Sequence, residues 1–173
     1  ASKALTVTHV STHVSMEQSI RNCKKERILE VIRLTWDALT RFQEHPVIAV
    51  AGLNPHAGEN GAFGDQELTD IAPAVQAARE EGMDVVGPLP PDTVFLRAYR
   101  GEFGAVVCMY HDQGHIPMKL LDFEGGVNVS LGLKVVRTSV DHGTAYDIAY
   151  QGKAKTGSLV AAYDYAVKIQ NRS

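Results

Sequence analysis

Basic clusters, long apolar runs and cysteine are what this sequence has least of, and each shortage excludes a class of function. Lysine and arginine total 17 against 20 aspartates and glutamates, for a net charge of -3, and no basic cluster is longer than Lys24-Lys25. A polyanion finds no electrostatic footprint here, so no nucleic-acid partner is expected. No apolar run approaches the roughly 20 residues that span a bilayer, and the first residues lack the basic-then-apolar layout of a signal peptide. No membrane association or export is expected. The two cysteines, Cys23 in a helical pattern and Cys108 in an apolar strand, have neither the pairing nor the spacing of a disulfide framework or metal site. That pattern suits a reducing, cytoplasmic setting. Repeats, low-complexity segments and the GxGxxG and Walker sequences are missing too, so an ordinary Rossmann or P-loop nucleotide site has no support.

What is present is a soluble globular composition, with 45% hydrophobic and 21% charged residues in a chain of 173. One domain, or one large part of a bigger one, is expected. The chain opens at Ala1, and Leu5 to Val10 already reads as a strand, which suggests the back part of a longer protein. Ser15 with Gln18 is a capping-box signal, and Ile20, Ile28, Ile32, Leu39 and Phe42 then recur at helical spacing up to Pro46. This predicts one long amphipathic helix over 16–44, intact or broken. Val47 to Ala51 and Ala105 to Met109 are short apolar runs of the buried-strand type. Leu68, Ile71, Ala72, Val75 and Ala78 give a helix over 66–81 that ends at Gly82. Residues 83–86 form the next expected strand. Three prolines then make Gly87 to Asp92 a rigid loop rather than helix or central strand. Strands are also predicted at 127–130 and 134–137, and a final helix at 158–170. Strands alternating with helices predict an α/β fold with a mostly parallel sheet flanked by helices.

Candidate chemistry gathers after the strands. His56 lies in Gly52-Leu53-Asn54-Pro55-His56-Ala57-Gly58-Glu59 and His111 in Tyr110-His111-Asp112-Gln113-Gly114, each beyond an apolar run and flanked by glycine. His9, Ser11 and His13 share a face if the first segment is a strand, so either histidine is a candidate. Three imidazoles converging from separate loops are a standard way to hold a divalent metal with an open position; the competing reading is ordinary loop histidines. His45, before Pro46, reads as a helix-end residue suited to the dipole. Lys119, Asn128 and Arg137 are the residue types that hold a phosphate or carboxylate, set against solvated surface cations and a turn Asn. Thr138 to Ala145 is dense in hydroxyls and small residues, so a polar ligand could approach closely.

Together with Gly87-Pro88-Leu89-Pro90-Pro91-Asp92-Thr93, Gly126-Val127-Asn128 and Arg137-Thr138-Ser139-Val140-Asp141-His142-Gly143-Thr144-Ala145, these motifs closely resemble the 4-hydroxythreonine-4-phosphate dehydrogenase (PdxA) family. Five motifs stand in the family's order across nearly the whole chain. The resemblance implies an isocitrate/isopropylmalate dehydrogenase-like fold and a homodimer with a shared active site. It implies oxidation of a secondary alcohol on a small phosphorylated substrate with NAD or NADP, followed by decarboxylation of the β-keto acid. It places the divalent metal (Zn, Mg, Mn or Co) on His13, His56 and His111, which selects His13 over His9. Substrate contacts fall on Lys119, Asn128 and Arg137, with Lys119 also a candidate for the catalytic base beside a metal-bound hydroxide. The cofactor loop falls on His142, Gly143, Thr144 and Asp147. Residues 1–173 then correspond to a C-terminal portion whose front half, with further substrate contacts, is not in this chain. Lys134 and Tyr150 depart from the family's Pro and Gly, while His115 and Met118 resemble the branch acting on D-threonate or D-erythronate 4-phosphate. Two rival readings are a hydrolase using the same histidines without a cofactor loop, and a dimerisation half without turnover.

Overall fold

The computed structural model describes residues 1–2, 4–123 and 125–170. Its centre is a four-stranded parallel sheet built from β1 (Val7–His9), β2 (Ile48–Ala51), β3 (Val85–Leu89) and β4 (Ala105–Cys108), in the order β1-β4-β2-β3. Alternate side chains of β2 and β4 point to opposite faces and both faces are covered. Ile48, Val50, Ala105 and Val107 join the core under α2 (Lys25–Leu39) and α3 (Ala72–Glu80). Ala49, Ala51, Val106 and Cys108 join a second core beneath α4 (Val94–Tyr99) and α5 (His111–Leu121). The predicted α/β architecture, a mostly parallel sheet flanked by helices, is what is found. No helix among the described residues is long and apolar enough to cross a membrane.

The long helix predicted over 16–44 is two helices, α1 (Met16–Asn22) and α2, because Cys23 and Lys24 leave helical geometry. Burial causes the break. The Cys23 thiol turns inward onto Met109 Sδ at 3.5 Å. Asp70 then takes the start of α2, accepting from Lys25 N at 3.3 Å and pairing with Lys24 Nζ at 3.0 Å.

Two strand predictions shift. The strand expected at 83–86 runs from Val85 to Leu89, so part of the proline loop is strand after all. It is tolerated because β3 is an edge strand, where a missing N–H costs no ladder bond, and because Gly87 lies against β2; a Cβ there would meet Val50 O at 2.7 Å. The strand expected at 134–137 is instead β6 (Arg137–Val140), antiparallel to β5 (Val127–Ser130), with Ser130 opposite Arg137. Val135 and Val136, whose apolarity suggested the strand, stand exposed in the connecting loop. This hairpin packs with α6 (Gly157–Gln170): Thr138 Oγ1 donates to Ala162 O and Ser158 Oγ to Gly126 O, each at 2.8 Å.

Helix α5 corrects the expectation that His111 sits in a loop. Gly114 and Pro117 hid the helix from the sequence pattern. Gly114 is there for contact, since a Cβ would fall 2.6 Å from His9 Nε2 and 2.8 Å from Cys108 Sγ. The close approach lays α5 on β1 and β4.

Candidate functional site

A cleft of about 750 Å³ opens between the β1, α2 and α5 side of the sheet and the β5-β6 hairpin with α6. His9, His13, His111, His115, Lys119, Asn128, Arg137, Asp141 and His142 all contribute to its wall. Of the predicted residues, His13 and His111 are neighbours, with ring centroids 5.6 Å apart. Lys119 reaches the cleft from the last turn of α5, its ammonium 5.9 Å from the centre of the Phe123 ring. Asn128 and Arg137 arrive from the hairpin, where Arg137 Nη1 donates to Ser130 Oγ at 2.9 Å. The cofactor-loop candidates divide: His142 lines the cleft, while Gly143, Thr144 and Asp147 are exposed and do not.

His56 stands apart from this wall. It begins a turn, Pro55–Gly61, in which His56, Ala57, Gly58, Glu59 and Asn60 all have positive φ. Left-handed backbone costs a non-glycine residue roughly 1–2 kcal/mol, so surrounding groups must hold this run in place. Glu67 does much of that. Its carboxylate is 2% exposed and accepts from Leu53 N and Asn54 N at 2.7 Å each and from Asn54 Nδ2 at 2.8 Å. At Gly58 a Cβ would fall 2.7 Å from that carboxylate.

The structure gathers two further histidines around His111. His115 lies one helical turn on, its ring parallel to that of His111 at 4.0 Å, and its Nδ1 is 3.2 Å from His9 Nε2. Asp141 Oδ1 lies 3.9 Å from His115 Nε2. Burial, followed by repulsion from His115 and His111, pushes the His9 imidazole down to about 3. Burial and His111 likewise lower His115. Both therefore stand neutral at ordinary pH. The four-residue spacing of His111 and His115 was a visible signal, legible only once the segment is recognised as helix.

Imidazole is a donor type that divalent transition metals accept. Asp112 Oδ1 is 2.7 Å from His111 Nδ1. A carboxylate on one ring nitrogen keeps the proton there and leaves Nε2 as a lone-pair donor, the arrangement that orients metal-binding histidines. His13 lies on the same wall, its ring 5.6 Å from that of His111. Among the described residues no three His, Cys, Asp or Glu side chains stand close enough together to hold a metal ion.

Comparison with known proteins places this geometry in context. The family described as "Pyridoxal phosphate biosynthetic protein PdxA" matches residues 1–166. D-threonate 4-phosphate dehydrogenase of Pectobacterium atrosepticum is 51% identical over 166 residues, covering 95% of this chain and 51% of that protein. 4-hydroxythreonine-4-phosphate dehydrogenase of Geobacter metallireducens is 57% identical over 166 residues, covering 95% of this chain and 49% of its own length. The crystal structure of 4-hydroxythreonine-4-phosphate dehydrogenase from Klebsiella pneumoniae superposes with a TM-score of 0.89 at 49% identity, covering 98% of this chain and 52% of that one. The chain spans about half the length of the relatives it matches.

Proposed function

The chain belongs to the PdxA family, and from that premise we propose that it is the C-terminal portion of a dehydrogenase that oxidises the secondary hydroxyl of a small phosphorylated hydroxy acid with NAD or NADP. The observation that carries the proposal is the cleft itself. It has the imidazoles of His9, His13, His111 and His115 on one wall, that of His111 within 2.7 Å of Asp112, and Asn128 and Arg137 on the other. A substrate bearing a phosphate or carboxylate at one end and a hydroxyl at the other matches that division of charge. The names of the two curated relatives above, dehydrogenases of such phosphates, support it. Those names also disfavour the hydrolase reading.

We assign His13, His56 and His111 to a divalent metal, zinc, magnesium, manganese or cobalt, on the strength of the family motifs alone, since the three do not come together among the described residues of this one chain; such an ion would draw charge from the substrate hydroxyl and ease loss of its proton. In this reading Arg137 and Asn128 hold the anionic end. Arg137 does so by a fork of donors that fits phosphate or carboxylate oxygens. Lys119, on the same wall as His111 and His115, is our choice for the base, which as the neutral amine would accept the hydroxyl proton. The loop of His142, Gly143, Thr144 and Asp147 is assigned to the nicotinamide cofactor, whose own chemistry takes the hydride. A homodimer sharing this cleft, an isocitrate/isopropylmalate dehydrogenase-like fold for the whole enzyme and a cytoplasmic setting complete the proposal.

Steady-state reduction of NAD or NADP with D-threonate 4-phosphate and 4-hydroxythreonine 4-phosphate, each beside its dephosphorylated analogue, tests it. Arg137→Ala is expected to raise KM for the phosphorylated compound about a hundredfold, the loss of a charge-assisted bond of roughly 3 kcal/mol, with a much smaller effect on the analogue. Equal losses on both would remove the phosphate role.

A further inference from the structure

We infer that the Thr8 hydroxyl is a specificity-determining acceptor in the cleft, reading a hydrogen-bond donor on the substrate carbon next to the one that is oxidised. This rests on the dehydrogenase reading above. Thr8, half-buried, and Thr35 both line the cleft, and their hydroxyls lie 2.9 Å apart. A third atom fixes where the two protons go. Thr35 Oγ1 is 2.7 Å from Val31 O, and a carbonyl can only accept, so the Thr35 proton is committed there. Thr8 must then donate to Thr35, and what its hydroxyl has left for a ligand is lone pairs alone.

Packing does not call for this pair. Thr35 is 2% exposed on the apolar face of α2, among Val31, Ile32 and Leu39, and Thr8 stands opposite Val107 of β4. Valine at either place would fill the same volume with no hydroxyl to desolvate. A threonine bonded back to the carbonyl four residues earlier also slightly weakens its helix. What the pair adds is an acceptor that cannot turn into a donor. Such a group suits a partner whose hydrogen survives the reaction. The oxidised hydroxyl becomes a carbonyl with no hydrogen left to give, whereas a hydroxyl or ammonium on the adjacent carbon keeps its own. The substrate is the ligand rather than the cofactor, because Lys119, Asn128 and Arg137 line this cleft while Gly143, Thr144 and Asp147 do not.

Steady-state kinetics of the full-length enzyme tests this with D-threonate 4-phosphate, which has a hydroxyl on that carbon, 4-hydroxythreonine 4-phosphate, which has an ammonium, and the 2-deoxy analogue, which has neither. Thr8→Val keeps the β-branched shape of the strand. It is expected to raise KM about tenfold for whichever of the first two is oxidised, as loss of one hydrogen bond requires, with kcat little changed and KM for the 2-deoxy analogue and for NAD or NADP unchanged. Thr8→Ser is expected to restore the wild-type KM. The wild type is expected to bind a 2-fluoro analogue, acceptor against acceptor, more weakly than the 2-deoxy one, and Thr35→Val, which frees the Thr8 proton, to reverse that order. Equal rises with and without the donor, a rise confined to NAD or NADP, or a wild-type KM in Thr8→Val would each overturn the inference. No turnover of any phosphorylated hydroxy acid by the wild-type enzyme would overturn the dehydrogenase reading, and the inference with it.

Discussion

Glu67 holds a carboxylate at 2% exposure with Leu53 N, Asn54 N and Asn54 Nδ2 as its donors. Three donors aimed at one anion replace the water it gave up, and removing the anion strands two main-chain N–H groups in the interior. Glu67→Ala is expected to cost about 3 kcal/mol in urea unfolding, and Glu67→Gln, which keeps an acceptor for both main-chain groups, clearly less. Equal costs would mean that the charge and its bonds are not what holds the turn. His9 carries a pH dependence whose sign follows from its depressed pKa. The unfolded chain binds this proton near pH 6.5, but the folded chain only near 3. Between those values the unfolded state holds more protons, so stability is full above about 6.5 and is lost as pH falls toward 3. Melting of the metal-free protein is expected to drop steadily from pH 7 to pH 4.5, with a shallower slope in His9→Gln; identical slopes would remove His9 as the cause. Neither residue was legible in this role. A glutamate in a helical pattern gives no sign that three donors will converge on it, and nothing in the sequence marks His9 as the histidine that meets His115.

At the scale of elements, the buried strands β2 and β4 were readable to within a residue, because an apolar run bounded by proline or glycine has few other solutions. Helix α3 was readable from its apolar face. What stayed hidden were segments whose local preference is overruled by contact. Helix α5 contains a glycine and a proline, the two residues that argue most strongly against a helix. Its Gly114 makes a test in which two effects oppose. Gly114→Ala raises intrinsic helix propensity by roughly 1 kcal/mol. The new methyl would sit 2.6 Å from His9 Nε2, 2.8 Å from Cys108 Sγ and 3.2 Å from Val7 Cβ. Overpacking of this kind costs about 1–3 kcal/mol, so the variant is expected to lose about 1 kcal/mol net in denaturant unfolding. A gain would show that α5 can lift off the sheet without penalty. The left-handed turn was equally out of reach, since only Gly58 and Gly61 hint at positive φ and His56, Ala57 and Glu59 adopt it under constraint.

Across the whole molecule, the apolar surface is uneven. Ile116, Leu120 and Phe123 are exposed on or just beyond α5, and Leu159, Val160 and Tyr163 on α6. Single exposed apolar residues are ordinary, but runs of them on one helix mark a surface that another chain or domain covers. The chain is therefore expected to self-associate in sedimentation velocity across micromolar concentrations, and Tyr163→Asp to shift it toward monomer without loss of helix signal. A monomer at every concentration would remove the α6 face as a contact. The cleft was legible in some of its lining residues, His13, His111, Lys119, Asn128 and Arg137, but not in its assembly. The cleft wall depends on where the hairpin packs, and no local pattern encodes that.

The strand order carries a consequence for how the chain becomes a protein. Strand β4 is the last of the four to be synthesised, yet it lies between β1 and β2. Among the described residues strand β1 pairs with β4 alone, Val7 opposite Val106. Strands β2 and β3 can join early, but β1 must wait as an open end until Ala105 to Cys108 emerges and wedges between them. Its closure is the long-range step, with the largest loop to order before any contact repays it. Helix α5 follows immediately on β4, so the histidine cluster and the sheet are completed in the same event.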